Sequence, residues 1–501
     1  AASGGAASGG AAVRAGRTGP ARIRIRAWHL EALARLQNGD QAGAKRAIGA
    51  GLGLLDRYRA ALGATELRVL SSADGADLAA LGVRLSLRDG KPNEVLRWCE
   101  RWRAATLRLR PAAMPHDPEL VADLAQLRSI GGELAADQAD PQRRQRLLRQ
   151  QQVLEDSIRS RTWRISGQST SESAVAIGDI VSVLGGRALL ELVEQDGELF
   201  GVVAARDRTR LVRLAAAASV SKEVTALRFA LRRLVHRHGS EASLAAAEAS
   251  ARHSVAQLNT WLLTPVRGLV GDAEMVVVPT GALQALPWSA LPDCAGRPLT
   301  VAPSATAWWR ATTAPKPAPE GTVLVGAASP AAAIPEVRAL AKRLGGSWVL
   351  TGGEATVQAT LSAMDGAKRA HVAAHGTFRA DNPLFSYVSL ADGPMTGHDL
   401  NGLRHAPGLM VLSACDTGLS SVHPGDELMG LTATLLGAGT RTLIASIGPV
   451  RDIATVPIML ALHRNLDGGA SPAQALAAAR EVAAPEDWAT AHSFSCFGSG
   501  G

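Results

Sequence analysis

Apolar positions follow two rhythms along this chain, and the change comes near Gly167. Before it the spacing is helical. Trp28 to Leu33 opens a helix that stops at the turn Asn38-Gly39-Asp40, and Gln41 to Leu62 reads as its partner. A short helix is expected at about Ala64 to Leu70. A second unit follows, from Leu78 to Leu87, through the turn Asp89-Gly90-Lys91-Pro92, and on from Asn93 to Leu109. Asp117-Pro118 and Asp140-Pro141 each start a longer helix. Leu120, Leu124, Leu127 and Leu134 line one, and Leu147, Leu154 and Ile158 the other, which predicts an antiparallel helical hairpin.

Beyond Gly167 the runs shorten. Leu189–Val193 and Leu199–Val203 flank Asp196-Gly197, a hairpin signal. Lys222 to about Leu263 returns to helix, and Met275-Val276-Val277-Val278 reads as a buried strand. Strands are then expected at Thr322–Val325, Trp348–Leu350, Arg369–Ala374, Met410–Ser413 and Thr442–Ser446. Between and after them stand helices at Ile334–Leu344, Thr356–Met364, Met429–Ala438, Ile453–Asn465 and Pro472–Ala483. Short apolar strands alternating with amphipathic helices predict an α/β region with a mainly parallel sheet sandwiched by helices. The fold class is therefore an α-helical N-terminal repeat region followed by an α/β domain. The expected divisions are a flexible linker or tail at 1–19, helical repeats and the long hairpin at 20–166, a β-hairpin plus helix connecting region at 167–254, and the α/β domain at 255–501.

The helical units have the helix, Gly-containing turn, helix pattern of tetratricopeptide-type arrays, although the two turns lie 51 residues apart and the repeats are degenerate. Such arrays bind proteins on a concave face, so a regulatory or recruiting partner is expected there.

Composition narrows the function classes. The formal net charge is +8, mostly from arginine, with clusters at Arg14, Arg17, Arg22, Arg24 and Arg26 and from Arg143 to Arg164. No nucleic-acid-binding motif accompanies them, so solvated helix faces explain them better, and nucleic acid is expected only through a partner complex. The four cysteines, Cys99, Cys294, Cys415 and Cys496, are far apart, which argues against a zinc site or disulfide framework and suits a reduced, cytoplasmic compartment. No apolar run approaches membrane-spanning length, and no signal peptide is visible. No metal or organic cofactor is expected.

Chemistry concentrates at two strand ends. One is Ala370-His371-Val372-Ala373-Ala374-His375-Gly376-Thr377. The other is Leu409-Met410-Val411-Leu412-Ser413-Ala414-Cys415-Asp416-Thr417-Gly418. A thiol of ordinary pKa is mostly protonated at neutral pH, and a neighbouring imidazole can take its proton to give a sulfur nucleophile. The expected dyad is Cys415 with His375 as base. The tetrahedral intermediate needs oxyanion donors, and the backbone N–H groups of Gly376 and Cys415 are the candidates. Asp416, Asp426 and Glu427 follow the nucleophile and are candidate acids of a substrate pocket for a basic residue.

These segments carry a resemblance to a family. From about Val255 to Phe497 the chain is similar to the CHAT domain, a caspase-like branch of the cysteine peptidase clan that includes caspases, separase, gingipains and metacaspases. The matching pieces are Val277 to Leu283, Leu286-Pro287-Trp288-Ser289-Ala290-Leu291, Ala302-Pro303-Ser304-Ala305, His371 to Gly376, Leu412 to Gly418, and Gly430-Leu431 through Gly439. The helical front, including Glu100-Arg101 and Ile158-Arg159 to Trp163, resembles the repeat region that commonly precedes such domains. Gly448 stands where the family often has Trp, and Ser493 to Gly498 matches loosely, departures that bear on pocket shape. The resemblance implies a latent cysteine endopeptidase that cleaves a protein substrate, recruited or triggered through the repeats. It also implies a setting in bacterial defence or programmed death, where relatives act on gasdermin-like pore proteins or within RNA-guided complexes.

Rival readings are weaker. His371 and His375 form an H-x-x-x-H pattern without a nearby carboxylate, so a metal site is disfavoured and buried packing is expected for His371. Asp416-Thr417-Gly418 spells the aspartic-protease triplet once, a frequent coincidence. A non-catalytic scaffold whose caspase-like domain only docks partners is the main alternative from another class.

Overall fold

The computed structural model describes residues 19–109, 117–136, 140–167, 174–237, 239–315 and 320–501. The expected linker, apart from Gly19, and the cluster members Arg14 and Arg17 lie outside the described residues.

The first helical unit forms as the pattern predicts. Helices Ala21–Gln37 and Gln41–Ala61 pack together, and the second is capped by Asp40, whose carboxylate accepts from the Gly43 N–H at 2.7 Å. The second unit, Ala76–Arg88 with Pro92–Trp102, ends earlier than the expected Leu109. Ala104 takes a left-handed backbone (φ 44°), a 3-10 turn spans Ala105–Arg108, and the Ala104 N–H donates to the Gly425 carbonyl at 2.9 Å. A contact more than three hundred residues away, invisible to local propensity, stops this helix. Pro118–Ala136 and Pro141–Thr162 make the expected antiparallel hairpin, with Arg161 paired to Asp117 at one end and Arg143 to Glu133 at the other. Its leucines close over Phe385 of the α/β region.

The strands are β1 (Ala188–Gln195), β2 (Glu198–Ala205), β3 (Arg208–Ala216), β4 (Met275–Val278), β5 (Leu299–Val301), β6 (Glu320–Gly326), β7 (Trp348–Thr351), β8 (Ala367–Ala373), β9 (Gly376–Thr377), β10 (Tyr387–Leu390), β11 (Gly393–Thr396), β12 (Leu409–Ser413), β13 (Ser421–His423), β14 (Glu427–Met429), β15 (Thr442–Ser446) and β16 (Phe494–Gly498). Eleven of them form one sheet in the order β3-β2-β1-β4-β5-β16-β15-β12-β8-β6-β7. Pairing is antiparallel at β3-β2-β1 and at β15-β16, and parallel elsewhere.

The expected β-hairpin is thus two strands of a three-stranded meander, and it is not a separate connecting unit. β1 runs parallel to β4 and extends the sheet of the C-terminal region across the expected boundary at 254. β3 escaped the pattern reading because arginines alternate along it, as suits an edge strand.

β12 and β15 are almost wholly apolar because both their faces are covered. Met410 and Leu412 face one core with Leu443 and Ala445, whereas Val411 and Ile444 face another with Ile458, Leu462 and Leu476. The helices Ala333–Leu344 and Asp452–Asp467 lie against this second face, and Ala217–His236 and Val357–Met364 contribute to the first. The helical front packs onto β1 and β2 through Val193 and Val202.

Candidate active site

Three neighbouring parallel strands end level. Ser413 of β12 pairs with Ala373 of β8, and Ala373 pairs with Gly326 of β6. The ladder continues one residue further, since Ala374 N–H donates to the Ser413 carbonyl at 3.4 Å and Ala327 N–H to the Ala373 carbonyl at 3.0 Å. Cys415 and His375, 40 residues apart in sequence, therefore leave adjacent strands at the carboxyl edge of the sheet, where open parallel sheets gather their reactive groups.

The two loops touch. A Cβ built on Gly376 would sit 2.3 Å from the Cys415 carbonyl oxygen and 2.6 Å from the Thr417 methyl carbon. Only glycine lets the histidine loop lie that close. Ser389 N–H donates to the His375 carbonyl at 2.8 Å, while Gly376 is the next residue in the β9–β10 pairing. Bonded and non-bonded pairs alternate in an antiparallel ladder, so the Gly376 N–H turns away from β10.

Cys415 is the half-exposed cysteine; Cys99, Cys294 and Cys496 are buried. Burial pushes its thiol up from the ordinary value, opposed by the Val450 N–H, with the charges of Asp416 and Asp452 adding to the rise. Val450 N–H donates to Sγ at 3.3 Å, and the thiol lies 3.7 Å from the Val450 carbonyl. His375 is exposed, and its Nε2 shares a hydrogen bond with Ser329 Oγ at 2.9 Å. Among the described residues no hydrogen bond joins Cys415 to His375. The strands bring the pair to one edge, and each side chain rests on another partner.

Asp416, Asp426 and Glu427 separate. Asp416 stays beside the nucleophile, half-buried with a left-handed backbone (φ 53°), and Arg232 lies 3.7 Å from its Oδ1. Burial pushes its carboxyl up, opposed by Arg232, Arg228 and His236. Asp426 and Glu427 are not pocket acids. Asp426 accepts from Arg103 Nε at 3.0 Å, Thr280 Oγ1 at 3.0 Å and the Gly281 N–H at 2.9 Å. Glu427 has 0 % exposure and accepts from the Thr106 N–H and hydroxyl and from Ser72 Oγ at 3.1 Å, with Arg59 3.8 Å away. Burial pushes its carboxyl up, and Arg59 and Thr106 pull it back. The β13–β14 turn between the nucleophile and these acids runs into the helical front, where Trp102 lies where a Gly425 Cβ would project.

His371 is buried as expected. Its Nε2 meets Glu336 at 2.8 Å and its Nδ1 meets His463 at 3.1 Å, so the H-x-x-x-H pair is divided between the core and the surface. Among the described residues no three His, Cys, Asp or Glu side chains gather in a metal-holding group. Nor is any helix there long and apolar enough to cross a membrane.

Three residues at the edge went unnoticed in the sequence. Ser329 follows β6, and asking what stands just past each predicted strand would have found it. Val450 stands two residues beyond Gly448 and carries no motif of its own. Asp452 opens the helix Asp452–Asp467; burial pushes its carboxyl up, with His375 opposing and Glu336 adding.

Comparison with known proteins bears on the family and the fold. Residues 252–495, just under half of the chain, match the CHAT domain family. No curated protein sequence matches. Among solved structures, two of the separase–securin complex from Saccharomyces cerevisiae are similar, one at 2.6 Å resolution with a TM-score of 0.55 and one at 3.0 Å with 0.52. Each is 9 % identical, and the match covers 95 % of this chain and 40 % of that chain. The chain thus spans less than half the length of those structures, and at this identity the likeness speaks for the fold alone.

Proposed function

Since the chain carries a CHAT domain over residues 252–495, of caspase-like peptidase kind, we propose that it is a cysteine endopeptidase with Cys415 as nucleophile and His375 as base. The observation that carries this reading is the delivery of both residues from adjacent parallel strand ends, with Gly376 seated against the Cys415 carbonyl. His375 takes the thiol proton as sulfur attacks the scissile carbonyl. The oxyanion meets the N–H groups of Gly376 and Cys415. The C–N bond breaks, the leaving amine takes the proton from His375, and water then hydrolyses the thioester.

The resting arrangement supports latency. The thiol is protonated at neutral pH and held by Val450, and the imidazole is held by Ser329. Activation would require Sγ to leave Val450 and meet Nδ1 of the imidazole, with Nε2 still on Ser329. The helical front is placed to transmit such a movement, because it grips the turn that follows the nucleophile through Arg103, Thr106 and Arg59. A partner bound to the helices is thus the trigger in this reading, and a protein of bacterial defence or programmed death, including a gasdermin-like pore former, the substrate to try. Asp416 is the remaining acid at the site for a basic substrate residue.

The test is cleavage of a mixed-sequence quenched-fluorescence peptide library by wild type, Cys415→Ala and His375→Ala, with and without candidate partner proteins. Both variants should lose activity by about 10³-fold or more. Equal cleavage by all three removes the dyad. A wild type inert under every condition favours the scaffold.

A further inference from the structure

We propose that Ser329 is a positioning residue for His375, selecting the tautomer that leaves Nδ1 free to take the Cys415 proton; this rests on the peptidase reading above. The sheet order β12-β8-β6 puts three strand ends in a row. Cys415 follows the first, His375 the second and Ser329 the third, and the level register of the three strands sets them along one edge. The row runs nucleophile, base, orienting hydroxyl.

The chemistry follows from the 2.9 Å contact between His375 Nε2 and Ser329 Oγ. A neutral imidazole has one N–H and one lone pair, and a serine hydroxyl can accept from the first or donate to the second; Ser329 is assigned as acceptor, the arrangement that leaves the lone pair at Nδ1. With Nε2–H donating to Ser329 Oγ, the lone pair is at Nδ1. When Cys415 gives up its proton, Nδ1 receives it, and both ring nitrogens then carry hydrogen. Nε2–H goes on donating to the hydroxyl, so the imidazolium keeps its partner. The departing amine later takes the Nδ1 proton. Ser329 gains and loses none, and the cycle closes.

The other charged groups near His375 do not supply this bond. Asp452 opposes it across the edge from the start of the helix Asp452–Asp467, and Glu336 lies behind on Ala333–Leu344, bonded to His371. Among the described residues neither hydrogen-bonds His375. Ser329 is exposed, so removing its hydroxyl leaves the core untouched.

The experiment compares wild type, Ser329→Ala, Ser329→Thr and Asp452→Asn by two readouts. The first is long-range ¹⁵N–¹H correlation of histidine-labelled protein, with the His375 signals assigned by their loss in His375→Asn. The second is the pH profile of kcat and KM for cleavage of the same peptide library in the activated state. Wild type should hold the Nε2–H tautomer. Ser329→Ala should give a mixture of tautomers, a kcat lower by about 10-fold with KM little changed, and a displaced acid limb. Ser329→Thr should restore both, and Asp452→Asn should leave the tautomer as it is. An unchanged tautomer in Ser329→Ala overturns the proposal, as does a changed tautomer with an unchanged kcat profile. A tautomer that answers to Asp452→Asn instead assigns the role elsewhere and overturns it too. The spectra need no substrate. Failure of the peptidase reading therefore shows as an inert wild type, while failure of the Ser329 assignment shows in the tautomer.

Discussion

The turn after Cys415 and the turn after β8 leave the same edge of one sheet, yet they are held in opposite ways. The first carries Asp426 and Glu427 into the helical front, where each carboxylate accepts several hydrogen bonds and faces an arginine. The second carries His375 into solvent, where a single hydroxyl meets it. A charge withdrawn from water must be met by several partners or it destabilises the fold. A group that moves a proton must keep freedom to change partner. Acidity near a nucleophile in sequence is thus a poor sign of a pocket. The acids beside Cys415 in the chain mostly hold the fold, and the group that meets its proposed base comes from a different strand.

The largest test of this contrast is Glu427→Ala. It takes one of two carboxylates from Arg59, which is 1 % exposed and keeps Asp56 at 3.4 Å, and it removes the acceptor of Thr106. Breaking one side of a buried ion pair costs about 3–5 kcal/mol, measured by denaturant unfolding. His375→Ala should stay within about 0.5 kcal/mol in the same assay. Equal losses would erase the distinction between an anchored and a free flank.

Buried histidines sharpen the comparison by pH. Burial pushes His398 down to about 4, and Arg159 adds to the fall. Burial likewise pushes His492 down to about 3, with Arg480 adding. Both stay neutral in the folded protein while the unfolded chain takes up protons below about pH 6.5. The unfolded state then binds more protons, so stability falls as pH drops from about 6.5 toward 4. Each histidine accounts for about 2 kcal/mol by pH 5. His398→Leu should remove its share of the slope.

Gly376→Ala is a smaller effect on stability and a larger one on geometry. Its Cβ would meet the Cys415 carbonyl at 2.3 Å, so the two loops must part. Overpacking of this kind costs about 1–3 kcal/mol. Peptide cleavage should fall further than that loss of stability explains, measured at a temperature where the variant is fully folded. Unimpaired cleavage would mean that contact between the loops is unnecessary.

Much of this was legible in the chain. β12 and β15 read as short apolar runs because both their faces are covered, and Leu409–Ser413 and Thr442–Ser446 stand within a residue of expectation. Caps and prolines marked the helices starting at Gln41, Pro118 and Pro141. What escaped was decided by distant contacts. Pro92–Trp102 stops short because Ala104 binds Gly425 and Arg103 reaches Glu191. β16 joins the sheet between β5 and β15 through pairings that Ser493 to Gly498 does not advertise. Glu427 reads as a pocket acid until the helices of the front close over it. Ser329 carries no motif and matters only because β6 lies beside β8.

The smallest perturbation concerns the thiol itself. Alkylating reagents take the thiolate, so their rate reports both pKa and access. Burial pushes Cys294 and Cys496 up to about 12 and Cys99 well above its ordinary value, which leaves Cys415 as the cysteine to react with iodoacetamide in the folded protein. Its own thiol is pushed up as well, so the resting rate at pH 7 should fall below that of a free cysteine, whose thiolate fraction there is about 3 %. The rate should climb with pH past the ordinary thiol range. Because His375 rests on Ser329 and Sγ rests on Val450, His375→Ala should alter the resting rate by less than about twofold. A partner that releases Sγ from Val450 and brings it onto His375 should raise the neutral-pH rate in wild type and not in His375→Ala. If His375→Ala slows alkylation about tenfold without any partner, the imidazole already serves the thiol at rest. The free flank would then be assembled in advance, and latency would have to lie in access to the site rather than in the pairing of its groups.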